Sequence, residues 1–352
     1  MGSEPSYEHV QFQLICQPLQ QLHFGNYCRE KDTALEDTGE IIHADTLFSA
    51  IISTAAEQLE KDQFDRLLAG FIGGKSSLSS ACYGLKKEDK LLRFYPKPVT
   101  ADFFKVPDGK KIKRIRYVSD GILNQGITPD QWSGTDCVII QRCFVALKKE
   151  LEDLGLKEQI WKDLEIFRKE TVMKVQVQRD AQAQNDAGPY AQTNLVLADH
   201  SAIGLRVFFW FEACIDTSLL PPLQLIMQII AASGVGGERS TLNSTFEVCY
   251  CVQINQHEIV TSPCMALGLT IPKGEDELNG MGRIITRGGR RMASEGNLKT
   301  VKMLEEGALF SVPPEGNIVR LSNEKQELTY RYGKAYCIPI HQNFHFPNGT
   351  LL

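Results

Sequence analysis

The order of elements along the 352-residue chain predicts an α+β protein of two ferredoxin-like (RRM-like) domains. Three observations carry that prediction. An alternating strand is followed, after a loop, by an amphipathic helix. The run Leu205-Arg-Val-Phe-Phe-Trp-Phe211 is too rich in strand formers to be anything but a central, buried strand. A second helix then ends in a glycine-rich loop before a closing strand, completing the order strand, helix, two strands, helix, strand.

Taken in sequence, residues 8–19 alternate through Val10, Phe12 and Leu14 and read as the first strand. Residues 44–59 place Leu47, Phe48, Ile51, Ile52, Ala55 and Leu59 on one stripe, and Asp45 suits the positive end of that helix. The chain then reads as irregular through Pro96-Lys-Pro98, with a strand emerging from the basic segment Lys110-Lys-Ile-Lys-Arg-Ile-Arg116 and ending at Tyr117-Val118. Residues 139–169 read as helical. Residues 171–178 alternate, 179–188 are polar and 193–197 return, which predicts a protruding β-hairpin. Residues 219–232 form the second amphipathic helix, with Pro221 and Pro222 in its first turn and Gly234 as its C-terminal cap. Residues 245–253 close the sheet. The first domain is thus 1–254; the second, 255–352, is a degenerate copy of the same fold, with strands expected near 265–271, 282–286, 299–304, 317–321 and 336–340.

Composition narrows the function. An apolar share of 43% is that of a globular protein. No apolar run approaches the roughly 18 residues of a membrane span, and the start Met1-Gly-Ser-Glu-Pro-Ser-Tyr-Glu lacks a secretory pattern. The expected setting is the cytoplasm, without a membrane partner. Ten cysteines are scattered with no Cys-x-x-Cys spacing, so they read as reduced thiols, with no metal and no cofactor expected. A net charge of −5 argues against coating nucleic acid by charge alone, so any such site is local. The basic segment 110–116 and Arg287-Gly-Gly-Arg-Arg291 are candidates, with ordinary solvated surface as the alternative.

The loop Ser233-Gly-Val-Gly-Gly-Glu-Arg-Ser-Thr241 is built to hold an anion. Glycines let backbone N–H groups converge on a ligand, and the Arg239 guanidinium can grip a phosphate with two parallel hydrogen bonds. The loop follows a helix and lacks a Gly-Lys-Ser/Thr ending, which makes ATP and NAD poor occupants. Its candidate contacts are Ser233, Gly234, Gly236, Gly237, Arg239, Ser240 and Thr241.

Six blocks in order then resemble one family across nearly the whole chain. They are Leu22-His-Phe-Gly25, His43-Ala-Asp-Thr-Leu-Phe-Ser-Ala50, Tyr95-Pro-Lys-Pro98, the glycine loop, Lys302-Met-Leu-Glu-Glu-Gly-Ala-Leu-Phe310 and Tyr332-Gly-Lys-Ala335. The chain resembles the fourth-subunit family of the Csm effector complexes of type III-A CRISPR systems, in the RAMP superfamily. That resemblance implies a non-catalytic antiviral subunit whose glycine loop grips the repeat-derived 5′ handle of crRNA. It implies contacts with the large polymerase-like subunit and the first backbone RAMP subunit. It also implies a thumb hairpin, here about 173–195 with Arg179, Asn185 and Tyr190, that meets target RNA at the guide junction. The family usually continues its loop with a Gly-aromatic-Gly run; this chain has Leu242-Asn-Ser-Thr245, in which Asn243 can turn left-handed and Ser244 and Thr245 can donate to phosphate.

The remaining candidates are His23, Gly25 and Asn26 after the first strand, and Lys97, held between prolines. Phe24 and Tyr27 either stack on bases or close the core. The alternative function is a metal-independent endoribonuclease processing precursor crRNA, in which His23 or His43 would move a proton. Neither histidine has a partner visible in the sequence, and capping the following helix is the simpler role for His43.

Overall fold

A computed structural model describes residues 6–25, 35–106, 109–175, 189–236, 244–254, 263–289, 298–321 and 329–345. The α+β class stands. Strands β1 (Tyr7–Ile15) and β2 (Gln21–Leu22) are followed by helices α1 (Ala44–Gln58) and α2 (Lys61–Ile72), then by the hairpin β3 (Cys82–Lys87) and β4 (Lys90–Pro96). Farther on come the long hairpin β5 (Phe167–Val175) and β6 (Pro189–Leu197), the central strand β7 (Leu205–Asp216), helix α3 (Leu220–Ser233) and strand β8 (Val248–Gln253).

The main sheet contains the order β8-β1-β7-β3, antiparallel throughout. With α1 after β1 and α3 between β7 and β8, this is the ferredoxin-like arrangement. Alternation explains the layering. Val10, Phe12 and Leu14 of β1 and Phe209 and Phe211 of β7 share one buried cluster with Leu47, Phe48 and Ile51 of α1 and Leu223, Ile226 and Met227 of α3. Phe12 and Phe211, paired across the strands, stack with ring centroids 5.0 Å apart. The opposite face of β7 carries Phe208 and Trp210 into a second cluster with Met265, Leu267 and Tyr336 from the C-terminal region. Gly84 on β3 is required there: a Cβ would meet the Phe208 ring at 2.3 Å.

Three local expectations are corrected. The second strand of the ferredoxin-like order is β3, part of a hairpin in the stretch expected to be irregular. The basic segment holds a helical turn, Gly109–Lys113, and its strand begins only at Tyr117. Residues 139–169 are not one helix. Strands Cys137–Ile140 and Phe144–Leu147 pair as a hairpin, Gln141 and Arg142 turn at φ 49° and 62°, and only Lys148–Asp153 and Glu158–Trp161 are helical before β5 begins. β-Branched and aromatic residues flank that turn, and cross-strand pairing outweighs the helical spacing.

The C-terminal region carries strands within or beside all five predicted places, including β9 (Ile284–Arg287) and β10 (Val301–Leu304), and a further strand not among those predicted, β11 (Tyr330–Lys334). They form small antiparallel sheets, with only 3-10 turns at Glu275–Glu277 and Gln342–Phe344 among the described residues. This region packs on α1: Phe48 stacks on Tyr332 at 4.9 Å, and the Tyr332 hydroxyl accepts from the Leu78 amide at 2.7 Å.

Candidate RNA-contacting site

The short strand β2 ties three predicted elements together. It pairs with β6 through Gln21↔Val196 and Leu22↔Leu195, so the segment after β1 is anchored to the root of the hairpin. His23 follows, buried, with Nδ1 2.9 Å from the Thr193 carbonyl. A carbonyl only accepts, so Nδ1 carries the proton and a neutral ring leaves Nε2 as acceptor. Phe24 packs edge-on against Phe209, 5.9 Å away, which gives it the core role. Gly25 is exposed and bridges Thr38.

The glycine loop is rooted on the same segment. α3 ends at Ser233, which is exposed, and Gly234 stops the helix at φ 88° while donating to the Ile230 carbonyl. The Val235 amide donates to the Ser244 carbonyl at 3.0 Å, closing the loop at its base. Ser244, at φ 66° and fully buried, donates its own amide to the Gln21 carbonyl and accepts from the His23 amide through Oγ. The residue read as a phosphate donor therefore staples the loop to β2. Gly236, at φ 94°, lies so close to β2 that a Cβ would stand 2.7 Å from the His23 carbonyl oxygen.

Asn26, Tyr27, Arg179, Asn185, Gly237, Arg239, Ser240, Thr241 and Asn243 lie outside the described residues. Tyr190 is half-buried on β6, opposite Lys174 in a ladder that runs from Phe167↔Leu197 to Val175↔Pro189.

Lys97 lies elsewhere. It is buried with Nζ 2.6 Å from Asp102, and lines a cavity of about 270 Å³ between the 38–43 segment and the C-terminal strands. Burial pulls its ammonium below the usual lysine range and Asp102 offsets part of that. A phosphate would have to compete with Asp102 for it. His43 lines the same cavity and is not a side-chain cap: its Nδ1 lies 2.7 Å from Glu306. Burial works to raise the Glu306 carboxyl, but His43 and Ser80 outweigh it and hold it below the usual range.

Asp45 does more than suit a helix end. It is buried between Arg287, at 2.9 Å, and Arg331, at 2.6 Å. Arg287 is thus removed from the candidate surface cluster, whereas Lys110, Lys111, Lys113 and Arg114 are exposed. Among the described residues no group of three or more His, Cys, Asp or Glu is placed to hold a metal ion, and no helix is long and apolar enough to cross a membrane.

Residues 261–340 match the family described as the CRISPR Csm4 C-terminal domain. The match is confined to the C-terminal region. Over nearly its full length it also superposes on chains from crystal structures of a Csm1-Csm4 cassette. In the complex with cA4 the TM-score is 0.53 at 13% identity, covering 97% of this chain and 100% of the other. In the complex with pppApA it is 0.51 at 13% identity, covering 98% and 100%. At such identity the likeness is one of fold. No curated protein sequence matches the chain. The domain match and the shared fold agree with the family that the six blocks resemble.

Proposed function

We propose that this chain is a non-catalytic RNA-binding and scaffolding subunit of a type III-A CRISPR interference complex, working in the cytoplasm in antiviral defence. It grips the 5′ handle of crRNA, and it bridges the large polymerase-like subunit and the first backbone RAMP subunit. The observation that carries the reading is convergence. The glycine loop and the hairpin, each linked to RNA by the family resemblance, both hydrogen-bond to the β2–His23 segment. A loop whose ends are joined at Val235 and Ser244, with glycines and Arg239 in its sequence, suits a phosphate backbone.

Arg239→Ala should weaken handle-containing RNA by about 1–3 kcal/mol, the loss of one charge-assisted contact. Filter binding at fixed salt measures it, and unchanged affinity would reduce the loop to a connection. The hairpin wedges beside the handle, where target RNA would otherwise continue pairing. Replacing 179–188 by a short turn should leave folding and assembly intact while altering target pairing at that junction, read by chemical probing of the RNA. Misfolding, or an unaltered pairing pattern, would assign the hairpin another role.

The His43–Glu306 pair favours a second reading, the endoribonuclease, because a carboxylate can orient an imidazole for proton transfer. His43 is buried in the seam with the C-terminal strands, apart from the β2 cluster, which supports a structural role instead. His23→Ala and His43→Ala should therefore leave precursor RNA uncut, as in the parent. A discrete product made by the parent and lost in either variant would establish catalysis.

A further inference from the structure

The basic segment 110–116 has a place in the fold that the β2 cluster does not use. The Lys97 amide donates to the Arg116 carbonyl at 2.8 Å, so residues 98–115 form an excursion whose two ends meet between β4 and the short strand Tyr117–Ser119. Ala101, Ile112 and Ile115 are buried in the second cluster, with Val99 and Val106 packed against it. These anchors fix which side chains face outward. Lys105, Lys110, Lys111, Lys113 and Arg114 are exposed, and none of them lines the cavity beside Lys97. On the same excursion Phe103 is 61% exposed.

Charge leaves a surplus here. The excursion carries five cations against Asp102 and Asp108. Asp102 is already shared by Lys97 and Arg283, and among the described residues no carboxylate pairs with any of the five. After burial, the charges of Arg283 and Lys113 also push the Lys97 ammonium down, which puts Lys113 near the end of the excursion where Phe103 follows Asp102. The Arg116 amide donates to the Cys143 carbonyl at 2.8 Å, and the adjacent Arg142, turned at φ 62° and exposed, adds a further cation beside the base. On a chain of net charge −5, a local surplus of this kind draws a polyanion to one place.

Side-chain type chooses between polyanions. Four of the five cations are lysines, a residue depleted at protein–protein interfaces, whereas a lysine meets a phosphate backbone as a mobile point charge. The exposed phenyl ring of Phe103 offers a face on which an unpaired base can stack.

We propose that this excursion is a second RNA surface, on which Lys110, Lys111, Lys113 and Arg114 contact the phosphates of a single strand and Phe103 stacks on one of its bases, without sequence preference. The surface does not depend on the glycine loop.

The probe is a fluorescently labelled oligouridylate of about 20 nucleotides, long enough to span such a surface and free of any repeat-derived sequence. It is titrated with the purified full chain at several salt concentrations, and binding is read by anisotropy. Binding should be saturable and should weaken steeply with salt. Lys110→Gln, Lys111→Gln and Lys113→Gln combined should lower affinity at least about tenfold and reduce the slope of log K against log salt by about 2, from about 0.7 per lost phosphate contact. Phe103→Ala should weaken binding severalfold with the slope unchanged, and it serves alone should the triple variant misfold. Both losses should persist in an Arg239→Ala background, so a failure of the glycine-loop reading leaves this surface standing. No saturable binding up to about 100 µM chain, or parent-like affinity in either variant, would overturn the proposal. Loss of neighbouring subunits by the triple variant with its RNA affinity unchanged would assign the surface to an acidic protein instead.

Discussion

Asp45→Ala should lower the unfolding free energy by about 3–5 kcal/mol, because it leaves Arg287 and Arg331 buried with their shared carboxylate gone. The carboxylate stands in the first turn of α1 and is 1% exposed in its side chain; its partners come from β9 and β11, more than 240 residues away. Loss of the pair should be felt first as loosening of the C-terminal strands from α1, read as faster proteolysis within 263–345 before global unfolding. The pH dependence has a definite sign. Burial alone would raise the Asp45 carboxyl, but Arg287, then Arg331 and His43, hold it well below the usual carboxylate range. Its contribution is therefore complete above the unfolded value of about 3.9 and is lost as pH falls below that toward the depressed folded value. Denaturant melts of parent and Asp45→Ala should differ fully at pH 7 and converge in strong acid. Equal stability at pH 7 would mean that the pair is not formed.

Gly236→Val should have the second large effect, on RNA rather than on the fold as a whole. Valine at φ 94° is strained by about 1–3 kcal/mol, and its Cβ would press on the His23 carbonyl oxygen, a backbone atom held by β2. Relief requires the loop root to leave β2. Handle-containing RNA should load at least about tenfold less well. Gly204→Ala is the control: φ is 68°, but nothing lies within 4 Å of the added Cβ. It should cost some stability and leave RNA loading intact. Equal loading by Gly236→Val would detach the loop from RNA binding.

What could be read from sequence follows the reach of the signals. The β1 alternation, the α1 stripe, the all-apolar centre of β7 and the Pro-start, Gly-stop of α3 are local patterns, and the structure places each as read. The hairpin Cys82–Pro96 escaped because Gly84 and charged Lys86, Lys87, Glu88, Asp89 and Lys90 interrupt its alternation; Gly84 is explained only by Phe208, on another strand. The pairs Asp45–Arg287 and His43–Glu306 span 242 and 263 residues. No spacing rule reaches that far, so Arg287 read as surface and His43 as partnerless. The role of Ser244 was equally hidden, since a serine that pins a loop to a distant strand resembles one that faces a phosphate until the strand is in place.

The central claim is that this chain holds a guide RNA by a fixed 5′ handle. Its most direct test is to purify the chain with its neighbouring subunits and sequence the 5′ ends of the RNA retained. The account predicts one dominant repeat-derived 5′ end, depleted when Arg239 is replaced by alanine. Retained RNA with heterogeneous 5′ ends, or an unchanged end in that variant, would contradict it.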